Sequence, residues 1–358
     1  MLCIAALLAL LSVFFVYPNS GYLSYIDTKT LALLFCLMLV VAGFQSAGVF
    51  RTISETLLLK LKNTRQLGFI LVFLCFFTSM LITNDVALIT FVPLSIMTLS
   101  FSGQENNRIY IIVLQTIAAN LGSMLTPLGN PQNLYLYTTY SIPLTEFLKI
   151  TAPITALSIL LLIVLTSFSK KQEIKIIPIH DTNMLKPPKA FFYLALFLIC
   201  IAAVVHLLPI WVAFLVILIS CLLIDPTRIK YVDYSLLFTF VFFFIFVGNM
   251  GNIPVVHKLI KQLIFGRECL TGVLLSQGIS NVPTAVLLSG FTTNYKALLL
   301  GVNLGGLGTL IASMASLISY KQYVKSEHAD KLKYLLIFTA LNIISLAILL
   351  IGTWILYY

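Results

Sequence analysis

Apolar residues run along this chain in stretches of about 20, the length that carries a helix across a ~30 Å hydrocarbon core at ~1.5 Å per residue. The stretches fall near residues 2–17, 30–50, 109–140, 150–168, 190–207, 209–224, 236–251, 297–320 and 334–356, which predicts an all-α polytopic membrane protein of nine spans. Two of the nine, 109–140 and 297–320, are broken in the middle by polar residues, glycine and proline. Two further pairs of apolar segments are short: 68–82 with 86–100, at 15 residues and ~22 Å each, and 269–279 with 282–291. Each pair encloses a polar tip, Thr83-Asn84-Asp85 in the first and Ser280-Asn281-Val282 in the second. Such pairs read as re-entrant hairpins, which are tolerated where protein or a wet cavity satisfies the tip's backbone. Two tilted full spans are the alternative for each.

The two interruptions are related. Residues 120–137 and 303–320 share six identities over 18 positions at a displacement of 183 (303 − 120): Asn120/Asn303, Leu121/Leu304, Gly122/Gly305, Thr126/Thr309, Leu134/Leu317 and Tyr137/Tyr320. Each is preceded by one of the hairpins. Internal repetition of a hairpin and a broken helix is the sequence pointer to a secondary transporter.

Composition agrees with the pattern. Of 358 residues, 60% are hydrophobic and 9% charged, against roughly 25% charged in a soluble domain. The net charge of +10 does not indicate nucleic acid, because Lys and Arg lie in short loops between apolar runs. With the N-terminus inside, 16 Lys and Arg fall on cytoplasmic loops and 6 on outer ones, a split that requires each hairpin to return to its own side. Residues 1–168 then form a first repeat, 169–189 a cytoplasmic linker, 190–208 a connecting span, and 209–358 a second repeat inverted by that span. The opening run, 2–17, resembles a signal peptide core but lacks a basic leader and a clear cleavage site, and is read as a retained span. The six cysteines carry no metal or CxxC spacing.

Chemistry concentrates at the tips and breaks. Asp85 is the one acidic residue placed deep in a span; a carboxylate there costs ~2.5–3.5 kcal/mol on insertion and is usually kept for a cation, a proton or a partner. It would bind Na⁺ with Thr83 and backbone carbonyls, carry a proton, or simply hydrogen-bond the hairpin backbone. No Lys or Arg lies at the middle of a span, so an anion would be met by helix N-termini, with their unpaired N–H groups and positive dipole ends. Asn84, Thr126, Gly129, Asn130, Asn133, Ser280, Asn281, Thr284, Thr309 and Ser313 supply donors and acceptors around that point. Gly305, Gly306 and Gly308 serve either the site or close helix packing. His206 and His257 have no partner at ligand spacing. No HExxH, GxSxG or Walker-type loop is present, so the sequence offers no enzyme active site and calls for no cofactor beyond Na⁺ as a coupling ion.

At Thr83-Asn84-Asp85-Val86, Asn120 to Asn133, Ser280-Asn281-Val282-Pro283 and Gly301 to Gly306, the chain resembles the ion transporter superfamily. The citrate-transporter-like branch, with CitM-type citrate carriers, arsenical pump membrane proteins and NhaD-type antiporters, is the nearest. Small bacterial inner-membrane members classed with anion transporters resemble it most. In related dicarboxylate/sodium symporters, Ser-Asn-Thr motifs at the hairpin tips and the facing breaks bind sodium and carboxylate. The resemblance implies one half-site of Thr83, Asn84, Thr126, Gly129 and Asn130, and another of Ser280, Asn281, Gly308 and Thr309. Asp85 and Val282 replace the threonines of those motifs, which weakens the case for two sodium sites and strengthens coupling through Asp85.

The sequence thus points to a secondary transporter of a small anion in the inner membrane, coupled to H⁺ or Na⁺. A sodium/proton antiporter is the alternative within transport, and an anion channel or membrane scaffold the alternative outside it. The partners are the substrate and the lipid bilayer, with a homodimer compatible. Cysteines introduced in the 169–189 linker are expected to react with impermeant thiol reagents only from the cytoplasm, and those in 258–267 only from outside; labelling of both from one side would break the inverted-repeat reading.

Overall fold

The computed structural model describes residues 2–18, 21–50, 52–53, 63–101, 105–171 and 185–357; most of the 169–189 linker therefore lies outside the described residues. The described residues are helical throughout, without strands. The helices are α1 (Leu2–Val13), α2 (Thr28–Ser46), α3 (Thr64–Ile82), α4 (Asn84–Phe101), α5 (Glu105–Ser123), α6 (Pro131–Thr139), α7 (Leu144–Ser167), α8 (Pro187–Val204), α9 (Ile210–Ile224), α10 (Tyr234–Gly251), α11 (Pro254–Ile264), α12 (Glu268–Ile279), α13 (Asn281–Ser289), α14 (Tyr295–Leu304), α15 (Met314–Val324) and α16 (Lys331–Tyr357). Among the described residues, six are long and apolar enough to cross a membrane: α2, α3, α7, α8, α10 and α16.

The apolar runs at 109–140 and 297–320 are each split, into α5 and α6 and into α14 and α15. The hairpins differ from expectation in length. The first arm of the first hairpin begins at Thr64 rather than Gly68, because the Asn63 side chain accepts the Gln66 N–H at 3.0 Å and caps a polar first turn that hydropathy alone does not register. At 19 residues α3 is itself of spanning length. The other unexpected element is α11, where charged and apolar positions alternate at helical spacing in a stretch read as loop: Val256, Ile260 and Ile264 turn inward while Lys258 and Lys261 remain exposed.

Two sharp turns make the hairpins. Thr83 (φ +75°) joins α3 to α4, and Ser280 (φ +73°) joins α12 to α13; both are left-handed non-glycine residues, a costly conformation retained where the surroundings over-determine it. Each hairpin lies along the first half of its own broken helix, α3 and α4 on α5, and α12 and α13 on α14. Each also crosses to the other half of the chain: α4 packs on α15 and α13 on α6. The entry helices exchange likewise, α1 packing on α10 and α9 on α2. α8 packs beside α2 and α9. At its lower end the Lys189 ammonium (2.8 Å) and the Tyr193 hydroxyl (3.1 Å) donate to Asp225. Burial alone would raise that carboxyl's pKa, but these bonds and one from Thr227 outweigh it and hold it at about 2.

The outer surface is apolar, with Phe191, Leu336 and Trp354 all more than half exposed, as suits lipid rather than water. Close approach inside the bundle depends on glycines, Gly122 and Gly305 among them. A Cβ on Gly122 would collide with the Phe76 carbonyl oxygen, and one on Gly305 would lie 2.6 Å from Ser276 Oγ. Gly122→Ala is expected to lower stability by ~1–3 kcal/mol through overpacking. Gly251→Ala, where an added Cβ meets nothing within 4 Å, is the control and should leave the melting temperature of the detergent-purified protein unchanged.

Candidate functional site

Four helix N-termini, those of α4, α6, α13 and α15, begin at Asn84, Asn130, Asn281 and Ser313, and these residues gather at the centre of the bundle. Contacts within the two halves repeat. The Asn84 N–H donates to the Gly129 carbonyl at 3.0 Å and the Asn281 N–H to the Ala312 carbonyl at 2.9 Å. The Thr126 hydroxyl donates to the Met80 carbonyl, and the Thr309 hydroxyl to the Gln277 carbonyl. Each break residue is displaced from its counterpart by 183 positions (312 − 129, 309 − 126), and each hairpin residue by 197 (281 − 84, 277 − 80).

Contacts between the halves are reciprocal as well. Ser313 Oγ donates to Asn120 Oδ1 at 3.0 Å, while Asn130 Nδ2 donates to Asn303 Oδ1 at 3.1 Å. Asn120 Nδ2 reaches Ser316 Oγ at 3.4 Å, and Asn303 Nδ2 reaches Asn133 Oδ1 at 2.6 Å. Asn84 Nδ2 donates to Asn120 Oδ1 at 3.0 Å. Asn281 approaches the same place from the other hairpin: a Cβ on Gly306 would lie 2.9 Å from Asn281 Nδ2 and 3.9 Å from the Asn120 side-chain carbon. All these polar side chains are buried, and all but that of Asn281 hydrogen-bond to one another.

Beside the first tip is a cavity of about 150 Å³. Thr83, Asp85 and Asn130 line it from the first half, Gln45 from α2, and Tyr231 and Asp233 from the start of α10. The Asp85 N–H is held by Asn84 Oδ1 at 3.0 Å, and the half-buried carboxylate accepts no hydrogen bond and forms no ion pair among the described residues. Among the described residues, Asp85 and Asp233 are the charged groups of this lining, and no Lys, Arg or His contributes to it. On the far side of the tips the halves are sewn together. The Tyr140 hydroxyl donates to the Ser289 and Thr292 carbonyls at 3.1 and 2.8 Å, the Tyr295 hydroxyl donates to Glu146 at 2.7 Å, and Lys296 pairs with Glu146 at 3.0 Å.

Of the residues singled out from sequence, Asn84, Asn130, Asn133, Ser280, Asn281 and Ser313 join the central cluster or its immediate backbone, and Gly129 accepts from it. Thr126 and Thr309 do not reach it. Each is tied to the last turn of a hairpin arm, and Thr309 is exposed. The Thr284 hydroxyl turns back on its own helix to the Ser280 carbonyl at 2.8 Å. Thr83 and Asp85 face the cavity, and Gly308 (φ +107°) abuts the Gln277 side chain. Sequence reading passed over Asn120 and Asn303, whose side chains link the two halves, although they are the first identity of the repeat. It also missed Gln277, Ser316 and Asp233, which carry no repeat signal.

Broken helices facing hairpin tips within a multi-pass apolar bundle define a membrane transporter rather than an enzyme. The comparisons with known proteins give the family. A family model described as citrate transporter matches residues 1–297. An uncharacterized transporter of Methanocaldococcus jannaschii is 33% identical over 309 residues, covering 83% of this chain and 81% of its own length. Inner membrane protein YbiR of Escherichia coli is 29% identical, covering 87% of this chain and 84% of its own length. The silicon efflux transporter LSI3 of Oryza sativa subsp. japonica is 31% identical over 141 residues, covering 39% of this chain and 28% of its own length. The chain belongs to the citrate transporter family.

Asn120→Ala strips partners from Asn84 and Ser313 and is expected to cost ~1–3 kcal/mol for each buried group left unpaired. Asn303→Ala strips partners from Asn130 and Asn133 and should cost a similar amount. Thr284→Ala, which removes a bond made within one helix, should cost less than either. Melting temperatures of the three purified variants check the order.

Proposed function

We propose that the protein is a secondary active transporter of a small anion, coupled to H⁺ or Na⁺, that works by alternating access between two inverted repeats of a nine-span bundle. The observation that carries this reading is the meeting of both hairpin tips at one buried amide cluster, with Asn84 and Asn281 on either side of Asn120 and Gly306. Four helix N-termini open there, and such ends attract anions without a fixed positive side chain. The exchanged contacts of α4 with α15 and of α13 with α6 support two halves related by a rotation. The tyrosine seam around Tyr140 supports a face sealed on one side, while the Asp233 cavity gives access from the other. With the N-terminus inside, that open side is cytoplasmic. The family's name and that of the silicon efflux relative support a carboxylate or an inorganic oxyanion as cargo.

The sodium/proton antiporter is favoured by one specific observation, a cavity whose charged lining, among the described residues, is two carboxylates and no cation. In that reading Asp85 carries the exchanged ion itself. In the leading reading it carries only the coupling ion.

Transport currents from protein in liposomes on a solid-supported membrane, screened over carboxylates, sulfate, phosphate and arsenite with and without Na⁺, separate the readings. Asp85→Asn should abolish gradient-driven transport while the protein still folds; wild-type currents from it would make Asp85 structural. Asn84→Ala and Asn281→Ala should each weaken binding of a charged ligand by roughly 10- to 150-fold, the value of one charge-assisted hydrogen bond. The exposed Asn252 provides the control substitution. Loss of binding in one hairpin variant alone would refute the shared site.

A further inference from the structure

The broken helices raise a question that the repeat symmetry does not answer: what satisfies the carbonyl oxygens that each break releases. Unwound carbonyls and half-helix C-termini are where broken transporter helices coordinate coupling ions. In the first break, Asn133 Nδ2 lies 3.2 Å from the Ser123 carbonyl oxygen and 3.1 Å from those of Met124 and Thr126. In the second half, Gln277 Nε2 lies 3.0 Å from the Val273 carbonyl oxygen, 3.2 Å from that of Gly305 and 3.0 Å from that of Leu307. Each break thus turns its carbonyls, three in the first and those of Gly305 and Leu307 in the second, onto one side-chain amide nitrogen, which in Gln277 also reaches the Val273 carbonyl of its own helix.

The orientation of both amides is fixed by backbone groups. Asn130 Oδ1 accepts the Asn133 N–H at 2.9 Å, so Asn130 Nδ2 must face Asn303 Oδ1. Asn303 Nδ2 is then directed to the Leu299 carbonyl and to Asn133 Oδ1, which leaves Asn133 Nδ2 for the carbonyls. Gln277 Oε1 accepts the Thr309 N–H at 2.8 Å, which leaves its Nε2 in the same role. Flipping either amide would press an oxygen against three carbonyl oxygens.

The two halves fill their nests from different places. Asn133 comes from α6, where the second half has Ser316; Gln277 comes from α12, where the first half has Met80. The filling is therefore a property of each nest and not a by-product of the repeat. Other released carbonyls are also engaged: that of Gly129 by the Asn84 N–H, and that of Ala312 by the Asn281 N–H and the Ser280 hydroxyl.

We propose that Asn133 and Gln277 stand in for coupling cations, occupying the carbonyl nests of the two breaks so that no sodium ion binds there and coupling falls to the proton. The second half of this statement rests on the transport reading above; the first does not. A sodium ion needs a shell of oxygens, and the nests that would supply it are filled. A proton needs one oxygen, and Asp85 presents a carboxylate to the cavity, faced there by Asp233 and Tyr231 as the titratable groups of the opposite wall.

The test uses the full chain purified in detergent. Binding of ²²Na⁺ and thermal unfolding are measured in NaCl and in choline chloride at equal ionic strength. The wild type is expected to bind no ²²Na⁺ saturably and to melt at the same temperature in both salts. Gln277→Ala, which removes the amide together with the stem that carries it, empties one nest; it should melt several degrees higher in NaCl than in choline chloride. Asn133→Ser does the same for the other nest and serves if the first variant fails to fold. Saturable ²²Na⁺ binding to the wild type, or sodium-specific stabilisation of it, overturns the proposal. An absence of flux for every tested anion would instead refute the transport reading and leave the sodium result standing.

Discussion

The structure depends on one constraint: a peptide group removed from water must find a partner, and a broken helix exposes several at once. Residues 124–130 and 305–313 interrupt two helices in the middle of an apolar bundle. Many of their carbonyls are met by asparagine, glutamine, serine and the backbone of the hairpin tips. The strained turns at Thr83 and Ser280 follow from this, since only a sharp reversal places the Asn84 and Asn281 N–H groups against the Gly129 and Ala312 carbonyls. The glycines at 122 and 305 follow too, because the arms carrying those tips must lie nearly against the backbone.

Much of this was legible in the sequence because hydropathy and repetition report on large free energies. A charged or strongly polar residue in a span costs kilocalories, so Asp85 and the interruptions stood out. The pairing of Asn120 with Asn303 at a displacement of 183 holds in the contacts each makes. What could not be read was side-chain direction. Thr126 and Thr309 carry a perfect repeat signal yet serve the hairpin arms, while Gln277 and Asp233 carry none and sit at the second break and the cavity wall. Capping defeated the boundary estimate at Asn63, because one hydrogen bond extends a helix that hydropathy ends at Gly68. The helix α11 was hidden for the same reason, its charges reading as loop until its inward face is known.

An anion site of the kind proposed, built without arginine or lysine among the described residues, would have a particular character. Helix N-termini supply fractional charges of roughly half a unit each, fixed in direction and not removable by pH. Neutral amides then shape the site instead of charging it. A transporter must release what it binds, and weak, distributed attraction suits release better than a buried guanidinium, whose unpaired state would be costly.

The two halves are not equal, however closely their centres match. The displacement is 197 at the tips and 183 at the breaks, so the first half spends 14 more residues (197 − 183) between tip and break. The second arms differ by nine residues, 18 in α4 against 9 in α13, and the first halves of the broken helices by nine more, 19 in α5 against 10 in α14, offset by longer connections in the second half. A molecule made of two identical halves would rest with equal ease facing either way, and only its cargo and gradients would bias it. In the proposed alternating-access cycle, second arms of ~27 Å and ~14 Å would make opening one side a different mechanical act from opening the other, and would give the idle molecule a preferred direction to face before any ligand arrives.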